Sequence, residues 1–209
     1  MKIIESLRWR YATKKFDAAK ILPQEKINTL TEAFNLTATS YGLQPVKLVI
    51  IKDKDVQQTL VPHSWDQQQV ADASHLLIFC IERTIDEKYI VEYFNRVKTI
   101  RNTPDEILKP FQEQLIDSFG NKSDEEISTW ATKQAYLALG NLLTVCASEQ
   151  IDACPMEGFI PEKYDELLNL HEEGLQSVLV LPIGYRAEDD MFSSFKKVRK
   201  PITDSVIHL

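Results

Sequence analysis

The sequence contains few glycines and no long apolar run. Its six glycines are scattered, so neither the G-x-G-x-x-G turn of a dinucleotide-binding fold nor a glycine-rich phosphate loop is present. Any bound phosphate must therefore be held by side chains. No apolar stretch approaches the roughly 20 residues that a membrane-spanning helix needs, and the N-terminal segment lacks the apolar core of a cleavable secretion signal. We expect a cytoplasmic protein that does not associate with membranes.

Cysteine and histidine are also sparse. The three cysteines, Cys80, Cys146 and Cys154, lie in apolar segments, which is typical of buried thiols rather than of a disulfide framework. The four histidines are isolated, so we expect no metal site. No G-x-S-x-G motif is present, and the formal net charge of −7 disfavours nucleic-acid binding. These absences leave either a binding protein or an enzyme whose cofactor supplies the chemistry.

Basic residues are concentrated at the two ends of this acidic chain. Residues 1–20 and 196–200 together contain ten of its 24 lysines and arginines. Arg10 and Lys14 share a face if their segment is helical, and Lys197 and Arg199 share one if theirs is extended. The two pairs could converge on one phosphate through charge-assisted hydrogen bonds. The alternative is solvated charge at the termini, and the paired carboxylates Asp189-Asp190 are likewise typical of a solvated surface.

Strand and helix patterns alternate along the whole chain, which predicts one α+β domain over residues 1–209. Three β-branched apolar runs predict strands covered on both faces, at 46–51, 76–81 and 178–184. The predicted helices are a short amphipathic one near the N-terminus, one over 23–36, one that opens at a capping box at 103–106 with Pro104 in its first position and runs toward 119, and one over 125–150 after a capping box at 123–126.

The last of these helices is apolar on nearly every face between residues 131 and 147. A helix that is hydrophobic all round must be buried all round. In a chain of 209 residues the simplest way to bury it is against a second subunit, with Gly140 allowing a close backbone approach. We therefore expect a homodimer. The alternative is a monomer whose own sheet and helices enclose this helix.

Three further segments are candidates for a ligand site. In the segment 153–159, Pro155 and Gly158 constrain the backbone, and Gly158 permits close approach of a flat ligand. The segment 35–45 is a polar loop with several hydroxyls. Between two predicted strands, residues 84–125 form a helical excursion rich in aromatics, which is either a wall of a ligand pocket or simply core.

Six short segments match one family in order and at similar separations across essentially the whole chain. They are R-Y-A-T-K-K-F-D at 10–17, T-A-T-S-Y-G-L-Q-P at 37–45, V-A-D-A-S-H at 70–75, K-Q-A-Y-L-A-L-G-N-L-L at 133–143, P-M-E-G-F at 155–159 and K-V-R-K-P at 197–201. Together they resemble the nitroreductase family of FMN flavoproteins, in particular its oxygen-insensitive NAD(P)H nitroreductases and dihydropteridine reductases.

The resemblance implies an α+β, nitroreductase-like fold with a central mixed β-sheet flanked by helices. It also implies an intertwined homodimer with two FMN sites at the subunit interface, and a C-terminal arm, residues 201–209, that crosses onto the partner. Catalysis would rest on FMN, supported by Lys14 near the flavin N1/O2 edge and by Glu157. The implied FMN-binding residues are Arg10, Tyr11, Ala12, Lys14, Thr39, Ser40, Gly42, Asp66, Gln69, Pro155, Met156, Glu157, Gly158, Lys197 and Arg199.

Within that set the resemblance assigns separate tasks. Arg10, Lys197 and Arg199 would hold the FMN phosphate. Thr39 and Ser40 would come from the partner subunit. Glu157 and Gly158 would lie along the isoalloxazine, with a backbone N–H near N5.

Three positions depart from the family pattern. Asp66 stands where Asn is frequent, Gln69 where a second Lys is common, and Ala12 where Ser is frequent. The first two changes remove positive charge near the flavin, so we expect a lower flavin potential with FMN binding retained.

The expected activity is that of an FMN-dependent NAD(P)H oxidoreductase with ping-pong hydride transfer to nitroaromatic, quinone or pteridine acceptors. Two alternatives stay open: a weakly catalytic flavin-storage protein, and an adaptor whose basic ends bind an acidic partner without flavin.

Overall fold

The computed structural model describes residues 2–209 and contains nine helices and four strands in that range. The helices are α1 (Ile3–Trp9), α2 (Gln24–Asn35), α3 (Lys54–Leu60), α4 (Gln69–Asp72), α5 (Glu87–Arg101), α6 (Asp105–Gly120), α7 (Asp124–Ser148), α8 (Pro161–Leu167) and α9 (Ile202–Ser205). The strands are β1 (Val46–Ile51), β2 (His75–Glu82), β3 (Asp152–Ala153) and β4 (Leu175–Gly184). Short 3₁₀ turns occur at Ser40–Gly42, Val61–Ser64 and Met191–Ser194.

The strands form one sheet in the order β1-β2-β4-β3. All three predicted strands are confirmed, and β3 is a short addition that the sequence did not indicate. The strands pair antiparallel throughout, whereas we expected a mixed sheet. Among the described residues, parallel pairing is confined to the isolated bridge between Ala12 and Ala153.

Helices cover both faces of the sheet, which explains why β2 lacks hydrophobic alternation. One face packs Leu77, Phe79 and Ile81 against α2 and α7. The opposite face packs Leu76, Ile78 and Cys80 in a second core with side chains of α3, α4 and α8. Since alternate side chains of a strand point to opposite faces, β2 must be apolar at every position to serve both cores.

Helix α7 begins at the predicted capping box. Ser123 Oγ accepts from the Glu126 N–H at 3.2 Å, and the Glu126 carboxylate accepts from the Ser123 N–H at 2.8 Å. One side of the helix is buried, with Leu142 fully enclosed, but Tyr136 and Leu137 are 45% and 55% exposed. Apart from its chain neighbours and the nearby helix backbone, no heavy atom of residues 2–209 lies within 4 Å of where a Cβ on Gly140 would be. The expected all-round burial is therefore incomplete within one chain.

Residues 84–125 form the hairpin of α5 and α6 with a small core of its own. Phe94 and Phe119 are buried there, whereas Phe111 stays 41% exposed, so most of these aromatics are core. The start of α6 differs from the prediction. Pro104 is the N-cap rather than the first helical residue, and no side chain caps the helix, so the capping box predicted at 103–106 is wrong.

Both chain termini carry exposed apolar side chains. Ile3 and Ile4 of α1 are about half exposed, and α1 packs against α7. In the C-terminal arm, Ile202 and Ile207 are 78% and 84% exposed. No helix in the range 2–209 combines the length and apolar character that crossing a bilayer requires.

Candidate functional site

A cavity of about 380 Å³ lies where the two basic segments of the chain meet. The N-terminal and C-terminal cations predicted to converge do line it together, along with four aromatic rings. Its walls are Arg8, Trp9, Arg10, Tyr11, Ala12, Lys14, Phe192, Ser193, Phe195, Lys196, Lys197 and Arg199. The two ends of the sequence thus form one cationic pocket, which we call the cation cavity.

The N-terminal wall of the cation cavity is extended rather than helical. Helix α1 ends at Trp9, and Arg10 has φ −68° and ψ 144°. Beyond it, Ala12 and Phe16 form isolated bridges with Ala153 and Arg186. The helical premise for Arg10 and Lys14 is therefore wrong. Both still line the cavity, because pairing with the sheet edge directs this segment along the cavity wall.

The cations of the cavity repel one another. Burial lowers the pKa of Arg10, and Arg199 lowers it further. Burial also lowers the pKa of Lys197, with added contributions from Arg10 and Arg199. Lys197 Nζ nevertheless donates to the Arg10 carbonyl, which holds the two segments in contact. Such mutual repulsion favours binding of an anion that would neutralise the group.

An arginine stack supports the N-terminal wall. The Arg186 guanidinium lies 4.4 Å from the centre of the Trp9 ring and 4.6 Å from that of Tyr11. The Arg186 Nε donates to Oδ1 of buried Asp152 at 2.7 Å, and the Arg186 backbone N–H donates to Oδ2 of the same carboxylate at 2.9 Å. A cation stacked on aromatic faces is attracted by the ring quadrupoles. The stack therefore ties the start of the cavity wall to β3.

The segment 153–159 is hydrogen-bonded to β4. Met156 and Val180 exchange two backbone hydrogen bonds, at 2.8 and 3.1 Å, and buried Cys154 donates its N–H to Pro182. Lys14 Nζ lies 3.8 Å from Cys154 Sγ, so the cation cavity borders this segment. Pro155 follows Cys154, and two residues after Pro155 the chain reaches the surface at exposed Glu157.

Around Glu157 and Gly158 two backbone donors are free. Neither N–H donates to an acceptor among residues 2–209. A Cβ on Gly158 would come within 2.9 Å of the Trp65 ring, so here the glycine admits the close approach of an indole. Tyr136 donates its hydroxyl to the Glu157 carboxylate at 2.6 Å, which connects exposed positions of α7 and this segment.

Of the three positions that depart from the family pattern, Ala12 lines the cation cavity, whereas Asp66 and Gln69 lie beside this segment and do not line it. Asp66 is exposed, with a left-handed backbone at φ 55°. Gln69 is buried, and its amide donates to the Gln67 side chain at 2.9 Å, which in turn donates to the Gly158 carbonyl at 3.0 Å. Two hydrogen bonds therefore connect Gln69 to the segment 153–159 through Gln67.

The loop with Thr39, Ser40 and Gly42 lies elsewhere in the same chain and lines no part of the cation cavity. The Ser40 N–H donates to Gln134 of α7 at 2.8 Å. Gly42 has φ 73°, and a Cβ there would approach the Tyr93 hydroxyl at 2.7 Å. The positive φ and the lack of room for a Cβ both favour glycine at position 42 on structural grounds.

Sequence reasoning missed Trp9, Arg186 and Asp190, which support the cation cavity. Asp190 was expected on a solvated surface with Asp189. It is 3% exposed, while Asp189 is exposed and pairs with the Lys15 side chain. Neither spacing nor composition distinguishes these neighbours.

The comparisons with known proteins agree with this architecture. The sequence model of the nitroreductase family matches residues 7–185. A Staphylococcus haemolyticus protein, SH0546, assigned provisionally as an NAD(P)H nitroreductase, is 32% identical over 98% of this chain and 95% of its own. YfkO of Bacillus subtilis, with the same provisional assignment, is 31% identical over 98% and 96%.

Two solved structures share the fold. The nitroreductase family protein of Streptococcus pneumoniae superposes with a TM-score of 0.84 at 23% identity, covering 100% of both chains. A provisionally assigned nitroreductase of Exiguobacterium sibiricum, solved in complex with FMN, has a TM-score of 0.84 at 19% identity and covers 100% and 98%. With the family model spanning most of the sequence and full-length relatives above 30% identity, the chain belongs to the nitroreductase family.

Proposed function

We propose that this protein is an FMN-dependent NAD(P)H oxidoreductase. The observation that carries the proposal is the cation cavity: the cations from both ends of an acidic chain line one pocket, where burial and neighbouring cations lower the pKa of Arg10 and of Lys197. A phosphate monoester carries charge of about −1.5 to −2 at neutral pH and offers several acceptor oxygens. It is the ligand chemistry that this pocket fits.

The residues present fit FMN at both of its ends. Arg10, Lys197 and Arg199 would hold the phosphate, with Tyr11 and Ala12 in the same wall. The free N–H groups of Glu157 and Gly158 would donate hydrogen bonds to the isoalloxazine ring. Pro155 and Met156 would fix the path of the backbone that carries them. Asp66 and Gln69 would lie near the isoalloxazine end of FMN. Gln69 is connected to that end by its hydrogen bond to Gln67.

When bound, FMN would supply two-electron chemistry, taking hydride from NAD(P)H and delivering it to a second substrate in ping-pong order. Lys14 would place a fixed positive charge near the N1/O2 edge, where negative charge develops on reduction. Glu157, held by Tyr136, would support the segment that carries the free N–H groups. Asp66 and Gln69 add no cation, so we expect a lower flavin potential than a Lys at 69 would give.

The active unit would be a homodimer. Exposed apolar side chains on α7, on α1 and in the C-terminal arm are consistent with a covered interface. Thr39, Ser40 and Gly42 would then reach the site of the partner subunit, since they do not line the cation cavity of their own chain. Residues 201–209 would cross onto the partner, and 1–209 would fold as one domain.

Nitroaromatics, quinones and pteridines are the proposed acceptors, because a site open to a nicotinamide must admit other flat rings. The exposed Phe111 side of residues 84–125 would influence which acceptor binds. A cytoplasmic location suits three free, buried thiols.

Anaerobic absorption spectroscopy tests this function. The protein is loaded with FMN, freed of excess and mixed with NADH or NADPH. We expect a yellow protein that bleaches with one or both nucleotides and regains colour with a quinone or nitroaromatic. Arg10→Ala should retain less FMN than wild type, while Arg101→Ala, an exposed arginine at the end of α5, should retain as much.

Other outcomes select the alternatives. A yellow protein that no nicotinamide nucleotide bleaches would be a flavin-storage protein. A protein that takes up no FMN would refute the proposal and favour the adaptor.

A further inference from the structure

A single buried carboxylate joins the two walls of the cation cavity. Asp190 is 3% exposed. Its Oδ2 accepts from the Tyr11 hydroxyl at 2.8 Å, from the Lys14 N–H at 3.0 Å and from the Lys15 N–H at 3.3 Å. Its Oδ1 accepts from the Phe192 N–H at 3.1 Å. One side chain therefore contacts the N-terminal wall with one oxygen and the start of the C-terminal wall with the other.

Asp190 remains ionised in this buried position. Burial by itself would raise its pKa, but the hydrogen bonds from Tyr11 and from the backbone of Lys14, Phe192 and Lys15 outweigh burial and lower it. Burial and the bond to Asp190 in turn raise the pKa of Tyr11, so that hydroxyl keeps its proton and stays a donor. The carboxylate thus has a full set of donors and holds the segments that supply them.

We propose that Asp190 is a positioning residue for anion binding, which holds Arg10 and Lys14 on one wall and Lys197 and Arg199 on the other in the arrangement that grips a phosphate. This inference rests on the proposed FMN function. It assigns to Asp190 no contact with the ligand. The residue acts through the Tyr11 hydroxyl, through the backbone N–H groups of Lys14 and Lys15, and through the turn Met191–Ser194, whose Phe192 N–H donates to it.

The inference predicts an effect opposite in sign to simple electrostatics. Removing a negative charge beside a cationic pocket should strengthen anion binding by Coulomb's law. If Asp190 positions the cations, removing its charge should weaken binding, because the donors lose their shared acceptor and the walls separate.

Asparagine cannot replace this aspartate. Both carboxylate oxygens accept hydrogen bonds from N–H or O–H groups, whereas asparagine offers one oxygen and one NH₂ group. In either amide orientation the NH₂ faces a donor, either the Phe192 N–H or the three donors at Oδ2. Asp190→Asn therefore changes the hydrogen bonding without changing the size of the side chain.

The test compares two ligands in matched variants. FMN and riboflavin differ by the phosphate, so the ratio of their dissociation constants, measured by flavin fluorescence, isolates phosphate recognition. We expect Asp190→Asn to reduce the preference for FMN by at least about tenfold, which corresponds to about 1.4 kcal/mol. The control Asp189→Asn makes the same charge change at the exposed neighbour and should leave the preference unchanged or greater.

The outcomes are distinct. A preference in Asp190→Asn equal to or above that of wild type overturns the inference, as does an equal loss in Asp189→Asn. A general loss of packing would weaken both flavins alike and leave the ratio unchanged, which also counts against it. Wild type that does not distinguish FMN from riboflavin refutes the proposed phosphate site itself, not merely the role of Asp190.

A milder variant covers the case in which Asp190→Asn does not fold. Tyr11→Phe deletes one donor to Oδ2 and leaves the charge and the backbone bonds in place. It should reduce the preference for FMN in the same direction and by less. An unchanged ratio in folded Tyr11→Phe, established by circular dichroism, would refute the inference.

Discussion

Substituting Leu137 by glutamate tests the proposed homodimer. Leu137 lies on α7 beside Gly140 and is 55% exposed in one chain. Burying a whole leucine side chain stabilises by about 1.5–3 kcal/mol, so covering the exposed part contributes about 0.8–1.7 kcal/mol. A symmetric interface contains this residue twice. Losing both contacts therefore costs about 1.6–3.3 kcal/mol.

A carboxylate adds a further penalty because it must be dehydrated to enter an apolar interface, at a cost of several kcal/mol per ion. The total loss is at least about 4 kcal/mol, which raises the dimer dissociation constant about a thousandfold. Sedimentation velocity over a range of protein concentrations measures it. The matched control is Leu167→Glu on α8, a leucine 46% exposed on the opposite side of the sheet, which should stay dimeric.

The same variant tests whether the FMN site needs both subunits. If Thr39 and Ser40 act on the partner's site, monomeric Leu137→Glu should bind FMN more weakly than wild type in a fluorescence titration. Monomeric wild type at micromolar concentration, or a Leu137→Glu protein that dimerises as wild type does, would refute the interface. A monomer with undiminished FMN affinity would refute the shared site.

Two further predictions concern charge and core. The pKa of Lys197 is below its ordinary value of 10.5, and a bound phosphate should raise it, so FMN binding should take up a proton and weaken as pH rises. As pH rises toward 10.5, FMN affinity should fall more steeply in wild type than in Lys197→Arg, whose guanidinium does not lose its proton. Leu142→Ala, at a fully buried site, should lower the free energy of unfolding by about 2–5 kcal/mol in urea titrations.

Each of these has a result that would contradict it. Parallel pH profiles for wild type and Lys197→Arg would show that Lys197 does not take up the proton. A cost for Leu142→Ala no greater than for Leu167→Ala, at the half-exposed control position, would mean that α7 does not anchor the core of the sheet.

Most of the secondary structure could be predicted from the sequence, because apolar runs and capping residues are local signals. The strand at 46–51 is predicted by a continuous apolar run, and the start of α7 by a capping box whose two hydrogen bonds form within four residues. The start of α6 was misjudged because a proline fits both the N-cap and the first helical position. The short strand β3 was missed because two residues carry no periodicity.

The clustering of cations at both ends was predictable from the sequence, but the geometry that brings the two clusters together was not. Arg10 and Lys14 were identified from charge clustering, yet they lie on an extended segment because Ala12 pairs with Ala153, a contact between distant parts of the chain. Asp189 and Asp190 are adjacent and chemically identical, and packing alone buries the second. Pro155 and Gly158 indicated the segment 153–159 as a candidate, and only the resemblance to the family assigned its residues to the flavin ring.

By itself, the sequence determined the three main strands, the helices between them, the excess of cations at both ends and the family. These properties depend on composition and on neighbours within a few residues. Only the tertiary structure decided that the two cationic ends share a cavity, that Arg186 stacks on Trp9 and Tyr11, and that Asp190 joins the walls. Tyr11 and Asp190, for example, lie 179 positions apart in the sequence. No local pattern encodes contacts over such separations.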